Sequence, residues 1–441
     1  MSGYSQPGVK RQKVREIKDV DYFQGIEKIE YNNMAATTDT SVYRYYSGSE
    51  RVHARAMEDW LKCSISLTEF RMNGNDKTRT WDDHTNTLEN RKRCVKALFE
   101  LLSKLGLKYW TGLDSDLVEW EDRAQWDDMV EFVNEMAARY HVRLLWLAPD
   151  LHTNARYTSG ALTSPDASTF IHAASQIKRC LEMSQRLNAE NFLLWPSREG
   201  YDAIFQSDVT REIKLFAKLL KMTADYKDRL NYRCQLLIMP YCSEAMKNKR
   251  DRTVMRDEKV HNYMWDVTSC LYFLKSYNLE RYYKVCSAPG HHMYMAHVYN
   301  MLGGVTLTND FDPYNSKKLT LMMKSIVDQG TAPPGGINLK LYRRSTDLRG
   351  IVTLYMRYVD ALARALRLAA NIVGEQVFSK HVQQRYVSYH SGLGSRLASG
   401  DVSMEECEEH NKKAQNQHEP TSKCEHFEVV FQRYLDTCDH I

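Results

Sequence analysis

Residues 144–195 read LLWLAPDLHTNARYTSGALTSPDASTFIHAASQIKRCLEMSQRLNAENFLLW. The stretch opens on the short apolar run Leu144–Ala148, which has the length and bulk of a strand buried on both faces. Ser164-Pro165-Asp166 then places Pro and an acid where a first helical turn wants them, and predicts a helix over Asp166–Leu187. Asn191–Trp195 is a second apolar run. Strand, helix and strand in succession make one βα repeat and the start of the next.

The same pattern recurs outward in both directions. Cys63–Leu67 and Leu107–Gly112 precede the stretch, and Leu236–Pro240, Lys284–Ser287, Leu302–Thr306 and Gly336–Leu339 follow it. Helix-period segments fill the gaps, among them Asp208–Arg229 and Asp266–Tyr277. Eight alternating units with no second sheet pattern predict an α/β fold, a closed (β/α)8 TIM barrel, here with an N-terminal arm and a C-terminal helical arm. An open doubly wound sheet would want a Gly-rich phosphate turn early in the chain, and none is present. The 441 residues then divide into an N-terminal extension (1–55), the barrel (56–345), and a C-terminal helix with an extended arm (346–441). In the last, Leu354, Tyr358, Leu362 and Leu366 repeat every four residues on one helix face. The polar tail from Glu375 onward is expected to wrap a partner subunit or stay mobile.

Composition excludes rather than specifies. The net charge of +4 names no partner, and 43% apolar with 26% charged residues is a globular balance, neither disordered nor membranous. Ten cysteines without a C-x-x-C pair argue against a zinc cluster or a disulfide framework. A reducing, cytoplasmic compartment is the expectation. The basic N-terminus, interrupted by Glu16 and Asp19, leaves a mitochondrial address as the alternative. No run of 18 or more apolar residues is present, so no membrane span is expected.

Three blocks in order resemble the xylose isomerases, metal-dependent sugar isomerases built on this barrel. They are Ser159–Asp166 with Phe170 and His172–Lys178; Ala189–Asn191 with Trp195-Pro196-Ser197-Arg198-Glu199-Gly200-Tyr201; and Arg385–Tyr389 with Ser391–Gly394. The resemblance covers about residues 22–409. It implies two divalent cations such as magnesium or manganese, held by oxygen ligands at the C-terminal mouth of the barrel. It also implies a ring-opening His and a Lys on the substrate oxygen.

Carried over position by position, the resemblance finds those groups replaced. The ring-opening His falls on Leu113, with Asp114 and Asp116 retained beside it. The fifth-strand Glu-Pro-Lys becomes Met239-Pro240-Tyr241, and a thioether does not replace a carboxylate on a hard cation. The bridging Glu of the sixth strand becomes Ala288, followed by His291. At the seventh strand a ligand Asp becomes Thr306, with Asp310 and Asp312 downstream. The eighth-strand Asp becomes Lys340, which is expected to pair with Asp310, Asp312 or Asp116. His291, Asp310 and Asp312 are the remnant of a metal site. Trp195, Arg198 and Glu199 match positions that shape the mouth.

From these losses the sequence predicts no working isomerase and no cofactor: a pseudoenzyme serving as a structural or interaction component of a larger intracellular assembly. The alternatives are a sugar-binding module and a residual metal-dependent aldose–ketose isomerase. Protein partners, cytoskeletal or other, are expected at the basic insertion Lys247–Lys259 and at the terminal arms. Nucleic acid is disfavoured because no aromatic residue interleaves the basic ones. The segment Phe70–Trp81 is shorter than the family loop that reaches a neighbouring subunit, which leaves the homo-oligomer open.

Overall fold

The computed structural model describes residues 20–71, 79–119, 123–240, 261–309, 311–341, 347–413 and 422–437. Tyr241, Asp310 and the insertion Lys247–Lys259 lie outside them, as does most of the Phe70–Trp81 segment.

Eight parallel strands close into a barrel in the order of the chain. They are β1 (Cys63–Ser66), β2 (Tyr109–Leu113), β3 (Arg143–Ala148), β4 (Asn191–Leu194), β5 (Gln235–Ile238), β6 (Tyr283–Ser287), β7 (Leu302–Thr308) and β8 (Ile337–Lys340). The eight sequence runs therefore all become barrel strands. Each is followed by a helix: α1 (Leu88–Leu105), α2 (Arg123–Tyr140), α3 (Ala167–Arg186), α4 (Val209–Arg229), α5 (Val267–Ser276), α6 (His291–Val298), α7 (Ser316–Asp328) and α8 (Leu348–Glu375). The acids read as helix starts act as N-caps. Asp166, Asp208, Asp266 and Asp347 each accept the backbone N–H three residues on, so each helix begins one residue later than the acid.

Two layers of apolar residues hold the barrel. Inside it, Tyr109, Leu113, Leu145, Trp146, Leu193, Leu237 and Cys286 form a cluster of their own. Outside it, the strands and helices share the main core. One polar layer interrupts the interior: Asn338 Oδ1 on β8 accepts from Ser64 on the adjacent β1 (3.2 Å) and from Thr111 on β2, one strand further round (2.9 Å).

The N-terminal extension lies against the outer helices. The Glu100 carboxylate of α1 accepts Tyr22 N (2.9 Å) and Phe23 N (2.8 Å), and Asp360 of α8 accepts Tyr45 N (2.7 Å) and Tyr46 N (2.9 Å). Helix α8 buries Leu354, Tyr358, Leu362 and Leu366, the four-residue repeat read from the sequence. The C-terminal arm is helical, as the fold class expected: α9 (Val377–Arg385), α10 (Gly392–Ser399), α11 (Met404–Lys413) and α12 (Cys424–Asp436). Phe431 and Leu435 of α12 pack on Leu368 and Ile372 of α8, so this polar segment returns to its own barrel on two apolar anchors. Among the described residues no helix is long and apolar enough to cross a membrane.

Candidate functional site

The C-terminal mouth of the barrel gathers the polar side chains that follow β2, β3, β4 and β8. Just past β3, Asp150 opens a turn whose carboxylate accepts His152 N (3.2 Å), Thr153 N (3.0 Å), Ser115 Oγ (2.7 Å) and the Thr153 hydroxyl. Such an Asx turn fixes where the next side chains point. His152 follows, with 9% of its surface exposed, its Nδ1 3.3 Å from Asp150 Oδ1 but without hydrogen-bond alignment. Its ring meets Trp195 edge to face, with centroids 4.5 Å apart. Lys340, from the diametrically opposite strand β8, places its ammonium 5.0 Å from the centroid of the same indole. A cation over an indole face is held by the ring quadrupole.

Burial sets the protonation of this group. It pushes His152 down to about 4; Asp150 opposes the shift, while Lys340 and Arg198 add to it. The imidazole is therefore neutral, and a free acceptor, at neutral pH. For Asp150 burial acts upward, but His152 and the hydrogen bonds from Thr153 and Ser115 outweigh it and hold the carboxyl below its ordinary range.

The two acids retained after β2 sit behind this group. Asp114 accepts Asp150 N (2.7 Å), Ser115 N (2.8 Å) and Gln176 Nε2 (2.9 Å), and burial raises it to about 7. Asp116 accepts Thr68 Oγ1 (2.7 Å) and Leu113 N (2.9 Å), with Arg71 at 3.9 Å. Burial, the largest influence on it, raises this carboxyl too. Leu113 itself is buried in the barrel interior.

Glu199 is fully enclosed. Its carboxylate accepts the backbone N–H of Ala161 (3.0 Å), Leu162 (3.1 Å) and Thr163 (2.9 Å) and the Thr163 hydroxyl (2.6 Å). Gly160, at φ +90°, lets it in, because a Cβ there would stand 3.0 Å from Glu199 Oε2 and 2.5 Å from Thr163 Oγ1. The block Ser159–Ser164 and the block Trp195–Tyr201 are thus clamped to each other. Arg198 beside it has its Nη1 buried without a hydrogen-bond partner among the described residues.

The remaining positions stand apart. The Thr306 hydroxyl of β7 turns to the Met239 sulfur past β5, 3.9 Å away. Ala288 follows β6, and His291 is the exposed first residue of α6, its ring 5.9 Å from that of His292. Asp312 is exposed and accepts Tyr314 N (2.9 Å). Lys340 pairs with neither Asp312 nor Asp116. The first caps its own turn, the second is committed to Thr68 and the Leu113 amide, and Lys340 lies on Trp195 instead. Asp150 and His152 are passed over by sequence reasoning. The available signal was their place directly after a barrel strand, where this fold puts its chemistry.

A family model described as "XylA2 C-terminal domain" matches residues 382–435. Xylose isomerase of Hordeum vulgare is 29% identical over 94% of this chain and 91% of its own length. That of Arabidopsis thaliana is 29% identical over 93% and 90%, and that of Caldicellulosiruptor bescii 27% identical over 94% and 99%. Over nearly its whole length the chain is similar to xylose isomerases. Among solved structures, L-ribulose 3-epimerase covers 71% of this chain and 97% of its own at 10% identity and a TM-score of 0.47. A xylose isomerase-like TIM barrel protein from Mycobacterium smegmatis, solved in complex with magnesium, covers 69% and 98% at 11% identity and a TM-score of 0.45.

Similarity over 94% of the chain to proteins named xylose isomerase overturns the expectation that this is no enzyme: it points to an enzyme family. The expectation of no cofactor falls with it, since that family is metal-dependent. The donor set at the carried-over positions is a separate matter. A thioether, a methyl group, a hydroxyl turned to sulfur and an ammonium do not fit a pair of hard cations. Among the described residues no group of three or more His, Cys, Asp or Glu is placed to hold a metal ion. No step below is routed through one.

Proposed function

We propose that this protein is an aldose–ketose isomerase whose barrel mouth moves a proton between adjacent carbons of an open-chain sugar. The observation that carries this reading is the convergence of Asp150–His152 and Lys340 on Trp195.

Such a reaction needs a base at the carbon next to the carbonyl and a positive charge at the carbonyl oxygen. Neutral His152 takes the proton from C2, and the C–H electron pair forms the C1–C2 double bond while the carbonyl π pair moves onto O1. Lys340 stabilises that oxyanion. Asp150 stabilises the imidazolium, and its turn holds the ring in place. Return of the proton to C1, with transfer of the O2 proton, gives the ketose, so no oxidant or reductant is consumed. Trp195 offers the flat apolar wall on which the C–H face of a sugar rests.

The test is turnover of aldopentoses and aldohexoses by the full chain and by His152→Gln and Lys340→Met. Loss of a positioned base lowers kcat by ~10²–10⁴-fold. His152→Gln with wild-type kcat contradicts the assignment.

A separate observation supports protein partners, which we propose for the C-terminal arm. Helices α9, α10 and α11 bury none of their residues, and Val382, Leu397 and Met404 are exposed on them, as is Tyr386 just past α9. A second copy of the chain fits such a self-contained arm, and sedimentation of the full chain against one ending at residue 376 tests it: equal masses contradict it. Cytoplasmic placement is likewise our proposal. It is supported by the eight described cysteines, all free thiols and six of them buried.

A further inference from the structure

The mouth carries more positive charge than the proposed chemistry uses. Lys340 is half-buried on Trp195 and makes no ion pair among the described residues. Arg198, three residues beyond Trp195, also makes none, and its Nη1 is buried with no hydrogen-bond partner among them. Among the described residues the acids after β2, β3 and β4 are already engaged. Asp150 faces His152, Asp114 is shared among three donors, and Glu199 is enclosed by the backbone of 161–163. A buried guanidinium nitrogen without an acceptor is costly, and the acceptor it matches best is a planar or tetrahedral anion.

We propose that Arg198, past β4 at the mouth that also holds Lys340, is the recognition site for an anionic group on the sugar, so that the ligand is an aldose or ketose carrying a carboxylate or a phosphate rather than a neutral sugar. The inference rests on the proposed isomerase reading for its sugar but not for its charge. With Lys340 on Trp195 at the reacting oxygens, Arg198 takes the far end of the open chain, and a ligand with negative charge at both places matches the two cations.

Calorimetric titration of the full chain with a neutral aldopentose, its 5-phosphate and the corresponding uronate tests this without requiring turnover. The expected result is binding of at least one charged sugar ≥10-fold tighter than the neutral one; which of the two binds more tightly distinguishes phosphate from carboxylate. The preference shrinks between low and 0.5 M salt, because both cations are only partly buried and are therefore partly screened. In Arg198→Gln, folding checked by circular dichroism, the ratio of the two affinities falls towards one. The salt series on the unaltered chain stands if that variant does not fold. Equal affinities for charged and neutral sugars, or a preference insensitive to salt, would overturn the proposal. Turnover of a neutral sugar with no preference for charge sinks the anion site and leaves the isomerase; tight binding of a charged sugar with no turnover does the reverse.

Discussion

Replacing His152 with Gln removes the one group at the mouth whose titration opposes folding in mild acid. In the folded chain burial holds this imidazole down to about 4, against an ordinary value of 6.5. A His lowered in the native state is neutral in both states above pH 6.5. Between pH 6.5 and pH 4 the unfolded chain takes up a proton that the folded chain refuses, so stability from this residue is lost as pH falls. At 1.36 kcal/mol per pH unit, the loss at pH 4 relative to pH 7.5 is about 3 kcal/mol. Glutamine carries no such dependence. The unfolding free energy of His152→Gln, relative to wild type, should therefore rise by about 3 kcal/mol from pH 7.5 to pH 4, whatever its offset at neutral pH. Urea unfolding at the two pH values measures the difference, and the ring resonances of His152 give its titration directly. A midpoint near 6.5, or a stability difference independent of pH, would refute the burial argument.

Other outcomes follow from the same structure. Asp114 has the opposite sign: raised to about 7, it keeps its proton in the folded chain and costs stability as pH rises past 4. Asp114→Asn should gain up to ~4 kcal/mol on wild type between pH 4 and pH 8 by urea unfolding, and no gain would contradict it. Glu199→Gln turns amide hydrogens towards backbone donors that now share a carboxylate. A loss of about 1–3 kcal/mol is expected, with faster amide exchange at Ala161–Thr163. Phe431→Ala with Leu435→Ala should free α12 from α8, so that limited proteolysis cuts after residue 413 while the barrel unfolds at an unchanged denaturant midpoint.

The barrel was legible because each strand is a short apolar run and several of the following helices are announced by a capping acid, both of which are local signals. Asp166, Asp208 and Asp266 were read from sequence and are caps in the structure, as is Asp347. The tail was less legible. Its polar composition hides two anchors, Phe431 and Leu435, whose partners lie some sixty residues earlier on α8. At the mouth, reading by resemblance looked only where relatives keep their ligands and found losses at Met239, Ala288, Thr306 and Lys340. It could not show that Lys340 crosses the barrel to Trp195, because the meeting of β4 and β8 is set by closure of the sheet. Nor could it weigh His152, whose character comes from burial and from Asp150, Lys340 and Arg198 around it.

The most direct test of the central claim is the product formed by the full chain from an aldose in D2O, read by proton NMR. Proton transfer through His152 exposes the migrating hydrogen to solvent, so the account predicts a ketose labelled with deuterium at C1, and no label or product from His152→Gln. Unlabelled ketose would mean that the hydrogen travels between the carbons as hydride and would contradict the role given to His152; no ketose from any aldose, neutral or charged, would contradict the isomerase itself.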